Sequence, residues 1–177
     1  MKKIYFVCAM VLISLPNVIA QNYNRGSRYV SRELVNATVS AGLPIGDVSD
    51  VSNVNLSGGL LFQWVVRDKL NLTFGATYSH FLGKDVKDEL ITIEYDDIST
   101  VLLGVGARGF FTQEFAVGVE LGYGIGIAPK AYDGGFYYSP NLRYYIWTST
   151  NLFLNYTNIT NNGDSLSSIN LGLEFSL

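Results

Sequence analysis

From Phe115 to Ala128 the chain alternates without a slip. Phe115, Val117, Val119, Leu121, Tyr123, Ile125 and Ile127 are large and apolar, and Ala116, Gly118, Glu120, Gly122, Gly124 and Gly126 fall between them. Successive side chains of a strand point to opposite faces, so this stretch has one apolar face and one face of mostly small residues. The same period recurs along the chain and predicts strands over Glu33–Leu43, Val54–Val66, Leu70–Phe81, Ile98–Phe111, Phe115–Ala128, Phe136–Trp147, Asn151–Asn158 and Ser165–Leu177. That is eight strands, most of them close to the roughly 9–11 residues a tilted strand needs to cross a bilayer. No segment reads as a helix of useful length.

The connections sort into two kinds. Arg67-Asp68-Lys69, Thr112-Gln113-Glu114 and Thr148-Ser149-Thr150 read as three-residue turns, whereas Pro44 to Asn53, Leu82 to Asp97, Pro129 to Gly135 and Ile159 to Asp164 are longer. Short turns at one end and long loops at the other are the layout of a transmembrane barrel. Pairing Val66 with Leu70, Phe111 with Phe115 and Trp147 with Asn151 keeps every apolar face consistent, whereas a one-residue slip at any hairpin would break it.

Alternation alone does not say which face meets solvent. A soluble, lipocalin-like ligand carrier would turn the apolar face inward and expose the other, which should then be rich in Lys and Glu. Here that face is Gly, Ser, Thr and Asn, which suit a crowded interior. Of the charged residues only Arg108, Glu120, Arg143 and Glu174 fall well inside strands, and all four share the polar parity. A lipid-facing charge near the midplane costs about 2–4 kcal/mol, and the pattern puts none there. Aromatics, 14% of the chain, gather toward strand ends (Trp64, Tyr78, Phe111, Phe115, Tyr123, Phe136, Tyr138, Tyr144 and Phe175), as an interfacial girdle requires.

The N-terminus has a different character. Lys2 and Lys3 precede a short apolar run from Ile4 to Leu15, and Val18-Ile19-Ala20 offers a cleavage site before Gln21. This reads as a signal peptide over residues 1–20, because about 12 apolar residues are too few for a helix that needs about 20 to span. A lead-in follows over 21–32, where Arg25, Arg28 and Arg32 can rest against phosphate head groups on the periplasmic side, and the barrel occupies 33–177. The single cysteine, Cys8, leaves with the leader, so the mature chain has no disulfide and no thiolate chemistry.

With these features the chain resembles the small outer-membrane barrels of the OmpA and OmpX type. Its C-terminus, Asn170-Leu171-Gly172-Leu173-Glu174-Phe175-Ser176-Leu177, is similar to the terminal signal read by the barrel-assembly machinery. Asn170, Gly172, Phe175 and Leu177 hold the signal positions, although the last residue is Leu where Phe is usual. The resemblance implies an all-β, eight-stranded, antiparallel up-and-down barrel in the outer membrane of a Gram-negative bacterium. It also implies outer-membrane lipid and lipopolysaccharide as surroundings, and no cofactor.

An eight-stranded barrel is just wide enough to be filled by its own side chains. Arg108, Glu120, Arg143 and Glu174 are therefore expected to pair inside, with Glu120 opposite Gly106, Arg108 opposite Gly118 and the two charges diagonal neighbours. This cluster would plug the lumen; the functional alternative is a gate for a small-solute or ion pore. The long loops hold Asp47, Asp50, Asp85, Asp88, Glu89, Glu94, Asp96, Asp97, Asp133 and Asp164 against Lys84, Lys87 and Lys130. They form a solvated acidic rim that can hold divalent cations beside lipopolysaccharide or meet an extracellular partner. Ile91, Ile93 and Tyr95 continue the outward parity of the fourth strand, so the second loop can project as a sheet edge.

The remaining alternative is a barrel enzyme that modifies lipid A, as the palmitoyltransferase and deacylase barrels do. The lone His80 lies beside Ser79, but adjacent strand residues face opposite ways and cannot easily meet, and neither enzyme's motif is present. The chain is thus expected to be a monomeric, non-enzymatic barrel with no catalytic, metal or cofactor residues. A net charge of −3, or −5 once Lys2 and Lys3 are removed, argues against nucleic acid as a partner.

Overall fold

The computed structural model describes residues 34–177, apart from positions 68, 88–91, 130, 131, 148 and 162. The expected leader, the lead-in and Glu33 lie outside the described residues, as do Asp88, Glu89 and Ile91 of the second loop. The strands are β1 (Leu34–Ile45), β2 (Ser52–Arg67), β3 (Leu70–Gly83), β4 (Asp85–Lys87), β5 (Thr92–Glu94), β6 (Ile98–Phe110), β7 (Phe115–Ala128), β8 (Gly134–Trp147), β9 (Thr150–Asn161) and β10 (Asp164–Ser176). All except β4 and β5 form one closed antiparallel barrel in the order β1-β10-β9-β8-β7-β6-β3-β2. Each of the eight predicted strands is therefore present, most of them extended by one to three residues at an end.

Closure comes from β1 and β10, which pair from Asn36 with Ser176 to Ile45 with Ser167. The sheet then has no free edge, and the backbone ladder runs round the whole barrel, interrupted at Ser139-Pro140 of β8 on its β9 side and at a few register irregularities. The small ribbon of β4 and β5, Asp85 opposite Glu94 and Lys87 opposite Thr92, forms a separate two-stranded sheet within the second long loop.

The barrel is apolar outside and polar inside. Val39, Leu60, Val105, Leu121, Tyr123 and Leu171 are exposed, while Asn36, Gln63, Asn71, Thr100, Arg108 and Glu174 are each no more than 2% exposed. A soluble barrel would reverse this, because water-facing rows of Val, Leu and Tyr and a lumen of amides and charges are both unfavourable in water.

Three local expectations need correction. The link from Ile159 to Asp164 is not a long loop: β9 runs on to Asn161, which pairs with Asp164 and leaves only Asn162 and Gly163 between the strands. Asn-Gly is the sequence of a tight two-residue hairpin, and Gly163 has the positive φ of +102° such a turn demands. At the β8–β9 turn Trp147 pairs with Thr150 and Tyr145 with Asn151, so the register lies two residues from the Trp147–Asn151 pairing. A shift of two keeps every side chain on its own face, which is why the alternation cannot detect it. At β2–β3 the body of the hairpin has the expected register, with Trp64 opposite Leu72, but an irregularity at the turn pairs Arg67 with Leu70.

Gly163 gives the first prediction. Nothing lies within 4 Å of where its Cβ would stand, so Gly163→Ala meets backbone strain alone. It is expected to lower the unfolding free energy by about 1–2 kcal/mol in urea titrations of the micelle-bound protein. Gly58→Ala, whose Cβ would find only Thr38 O at 3.5 Å, is expected to change it by less than about 0.5 kcal/mol.

Candidate functional site

Two places collect polar chemistry: the lumen and the outward rim beside the second long loop. In the lumen, Arg108 comes from β6, Arg143 from β8 and Glu174 from β10, each near the short-turn end of its strand. Strand parity aims all three inward, and they converge on Glu174. Arg108 grips its carboxylate with both arms, Nη1 to Oε1 at 3.0 Å and Nη2 to Oε2 at 3.1 Å. Arg143 Nη1 donates to Oε2 of the same carboxylate, and Asn151 Nδ2 donates to Oε1 at 3.0 Å.

Further side chains join the cluster. Arg108 Nη1 reaches Gln63 Oε1 at 2.7 Å and the Tyr145 hydroxyl at 3.0 Å. Arg143 Nε donates to Asn141 Oδ1 at 3.2 Å, and its guanidinium lies 4.9 Å from the centre of the Phe153 ring. Glu120 joins at the margin, with Oε1 3.7 Å from Arg143 Nη2 and 20% of its side chain exposed. Two arginines and two carboxylates are thus brought together.

The pairing differs from the expected one. Glu120 does sit opposite Gly106, and Arg108 opposite Gly118, but Arg108 pairs with Glu174 rather than with its diagonal neighbour Glu120. Strand register fixes neighbours within the wall, whereas a long side chain in a narrow lumen can reach across it. The fork geometry of Arg108 on Glu174 offers two parallel charge-assisted bonds, which outweigh one diagonal contact.

Above the charges the lumen turns apolar. Val48, from the short 3₁₀ turn Gly46–Asp50, packs with Phe81, Leu102, Tyr137, Ile159 and Leu166 at the long-loop end. These side chains share the polar parity of their strands and were not singled out in the alternation. The signal was available, since Phe81, Leu102, Tyr137, Ile159 and Leu166 are all apolar residues out of phase near the long-loop ends. Tyr132, from the β7–β8 connection, packs against this cluster, and burial pushes its phenol up to about 12.

Gly104 and Gly122 make room for the Tyr137 ring: a Cβ on Gly104 would collide with its hydroxyl, and one on Gly122 would meet its Cε1 at 2.7 Å. Between the two plugs lies a cavity of about 40 Å³ lined by Ser57, Thr77, Glu120, Ser139, Thr157 and Asn170, among others. That is room for roughly three waters at about 10–15 Å³ each, not for a solute.

The four C-terminal signal positions form part of the barrel. Asn170 is buried, with Nδ2 donating to Asn155 Oδ1 at 3.0 Å, and Gly172 lies where a Cβ would meet Phe153 Cζ and Ser40 Cβ, each at 2.5 Å. Phe175 is exposed on the outer face, and Leu177 N–H donates to Val35 O at 2.8 Å.

On the outer face, Ser79 and His80 are separated as parity requires. Ser79 points inward and donates to Asn55 Oδ1 at 3.0 Å. His80 points outward, and its partners come from β6 and the residues just before it. Its Nδ1 is 2.8 Å from Ser99 Oγ, and its Nε2 is 3.4 Å from Asp97 Oδ2. Tyr78, one outward position below, donates its hydroxyl to the same Ser99 Oγ at 3.0 Å. Ser99 was missed in the sequence because its relation to His80 is cross-strand, through the β3–β6 register.

Glu174 gives the second prediction. Glu174→Gln leaves two buried guanidiniums without their shared counter-charge and is expected to cost about 3–5 kcal/mol. Glu120→Gln, on a partly exposed group with one long ion contact, is expected to cost under about 1 kcal/mol. Urea unfolding of each variant, followed by tryptophan fluorescence, measures both.

No protein-family model and no curated protein sequence matches the chain. Solved structures do match in fold. A de novo designed transmembrane β-barrel is 15% identical at a TM-score of 0.54, covering 82% of this chain and 96% of that one. The outer-membrane protein Ail of Yersinia pestis, in a phospholipid bilayer nanodisc, is 10% identical at a TM-score of 0.56, covering 82% of this chain and all of that one. Ail, the attachment invasion locus protein, in complex with the heparin analogue sucrose octasulfate is 9% identical at a TM-score of 0.55, with 82% and 100% covered. At these identities the likeness establishes the architecture and assigns no residue a role: the chain has the closed, eight-stranded antiparallel barrel fold that these membrane proteins share.

Proposed function

We propose that the chain is an exported, integral outer-membrane barrel of a Gram-negative envelope, with a closed lumen and a structural or surface-interaction role carried by its long loops. The observation that carries this is the inverted polarity of the wall: exposed Val39, Leu60, Val105 and Leu171 outside, and the buried Arg108–Glu174–Arg143 cluster inside. Lipid is the solvent that favours such a surface, and a closed ladder is one of the few backbones it tolerates. The fold shared with a bilayer-embedded barrel supports the same placement. Lipid and lipopolysaccharide then surround the wall, and Asn170, Gly172, Phe175 and Leu177 serve the barrel-assembly machinery during insertion.

The lumen argues for a closed barrel. Among the described residues, an ionic plug at the short-turn end, an apolar plug at the long-loop end and a cavity of about 40 Å³ between them obstruct the passage of a solute. The three long loops, nine carboxylates against three lysines and so net −6 by sequence, point to a cationic extracellular partner or to divalent cations shared with lipopolysaccharide. They disfavour a polysulfated ligand of the kind held by Ail, since like charges repel.

Outer-membrane fractions, run boiled and unboiled on SDS gels, test this reading. A mobility shift on boiling, from membrane material only, is expected, together with no measurable current from the purified protein in planar bilayers. Recovery as an unshifted, soluble periplasmic protein would overturn the placement, and a steady conductance would overturn the closed lumen.

A further inference from the structure

On the outer wall, at the long-loop end, His80 hydrogen-bonds Ser99 on one ring edge and stands 3.4 Å from the Asp97 carboxylate on the other, and we propose that the three form a hydrolytic site for carboxylic esters of lipid acyl chains. This departs from the expectation that the chain has no catalytic residues, and it rests on the reading of the outer face as lipid-facing.

His80 of β3 lies directly opposite Ser99 of β6, and both side chains take the outward parity of their strands, with Ser99 covered to 5% exposure and its Oγ bonded to Tyr78 and His80. His80 Nδ1 approaches Ser99 Oγ at 2.8 Å, the separation of a base from the hydroxyl it deprotonates. On the other edge of the ring, Nε2 faces Asp97 Oδ2 at 3.4 Å. With its proton on Nε2, toward Asp97, the ring would present the Nδ1 lone pair to Ser99. Asp97 is itself fixed, because its Oδ1 accepts the Gly83 N–H at 2.8 Å. The order nucleophile, base, orienting carboxylate is the geometry that activates a serine, whichever fold carries it.

Tyr78 supplies the remaining group. Its hydroxyl lies 3.0 Å from Ser99 Oγ, placed to donate to the oxyanion that forms when that oxygen attacks a carbonyl. The Tyr78 and His80 rings lie nearly parallel, 6.2 Å apart, which steadies both. A register irregularity between Ser99 and Thr100 on the β6–β7 side makes Ile127 the extra residue beside the site. Bulges of this kind re-aim side chains at functional positions.

Position selects the substrate. Exposed Tyr78, Tyr123, Ile125 and Ile127 form the adjacent lipid-facing surface, and the acidic long loops lie beyond. An ester between an acyl chain and a polar head group sits at that boundary. The reaction balances with water as co-substrate. Ser99 Oγ bonds to the acyl carbon while its proton passes to His80 Nδ1, and the ester C–O bond breaks as that proton moves to the leaving alcohol. Water then attacks the acyl-serine and gives a proton through His80 back to Ser99 Oγ, which releases the fatty acid.

A fluorescent fluorophosphonate, applied to detergent-purified protein that shows the boiling-dependent gel shift, tests the site. Labelling is expected at Ser99 by peptide mass spectrometry, absent in Ser99→Ala and retained in Ser79→Ala. His80→Gln is expected to slow labelling about hundredfold. Asp97→Asn is expected to slow it as well, with Asp97→Glu restoring most of the rate, a rescue that a merely structural loop contact would not produce. Folded wild type that stays unlabelled, or labelling that survives Ser99→Ala, overturns the proposal. Fatty-acid release is then measured from phosphatidylethanolamine vesicles and, separately, from lipopolysaccharide. Release from one identifies the lipid, and release from neither overturns the lipid-ester assignment. Because only gel-shifted protein is scored, failure of the site is distinct from failure of the barrel reading.

Discussion

The pairing of β1 with β10 is the constraint on which everything else depends. Ten consecutive residue pairs, from Asn36–Ser176 to Ile45–Ser167, turn an eight-stranded sheet into a cylinder. An unpaired edge strand would leave a row of backbone N–H and C=O groups facing hydrocarbon, each costing several kcal/mol. Once the ladder is closed the backbone makes no further demand on its surroundings. The outer face is then free to be Val, Leu, Ile and aromatic, and the inner face has to be filled by whatever the polar parity supplies.

How the interior is filled follows from its width. Small residues dominate the inner parity, so the few large ones have room: Tyr137 lies along the wall over Gly122 and Gly104 of the next two strands, and Arg108 crosses to Glu174 on the far wall. Buried charge is tolerated because each guanidinium arm finds an oxygen and the two arginines share one carboxylate. The lumen is therefore graded along its length, ionic near the short turns, with a small polar cavity in the middle and apolar under the long loops. The outer wall has its own polarity at the long-loop rim, where His80 holds Ser99 and Asp97.

The strands and their faces were legible in the sequence because period-2 alternation reports parity, and parity is what a closed barrel preserves. The alternation of β7 was enough to place Val119 outside and Glu120 inside. What parity does not encode was less legible. It is blind to a shift of two, so the β8–β9 register lay two residues from the expected pairing. It assigns a residue to the lumen but not to a partner across it, so Glu174 rather than Glu120 received Arg108. It treats apolar residues on the polar face as exceptions, so the plug built on Phe81, Tyr137 and Ile159 went unread. His80 was weighed against its chain neighbour Ser79, when its partner was the residue opposite it, Ser99. The Asn162-Gly163 hairpin could have been recognised from turn chemistry alone.

Lipid bathes the outward parity, and the inward parity is closed to lipid and to bulk water. The mature sequence has no cysteine beyond the expected leader, so single cysteines can be introduced along β7 and spin-labelled in lipid bilayers. The account predicts that labels at 117, 119, 121, 123 and 125 collide strongly with dissolved oxygen and weakly with a polar nickel reagent. A label at 120, where a long side chain already lies beside the interior cavity, should be shielded from both. The reversed phase, with the odd positions reached by nickel from water, would contradict it.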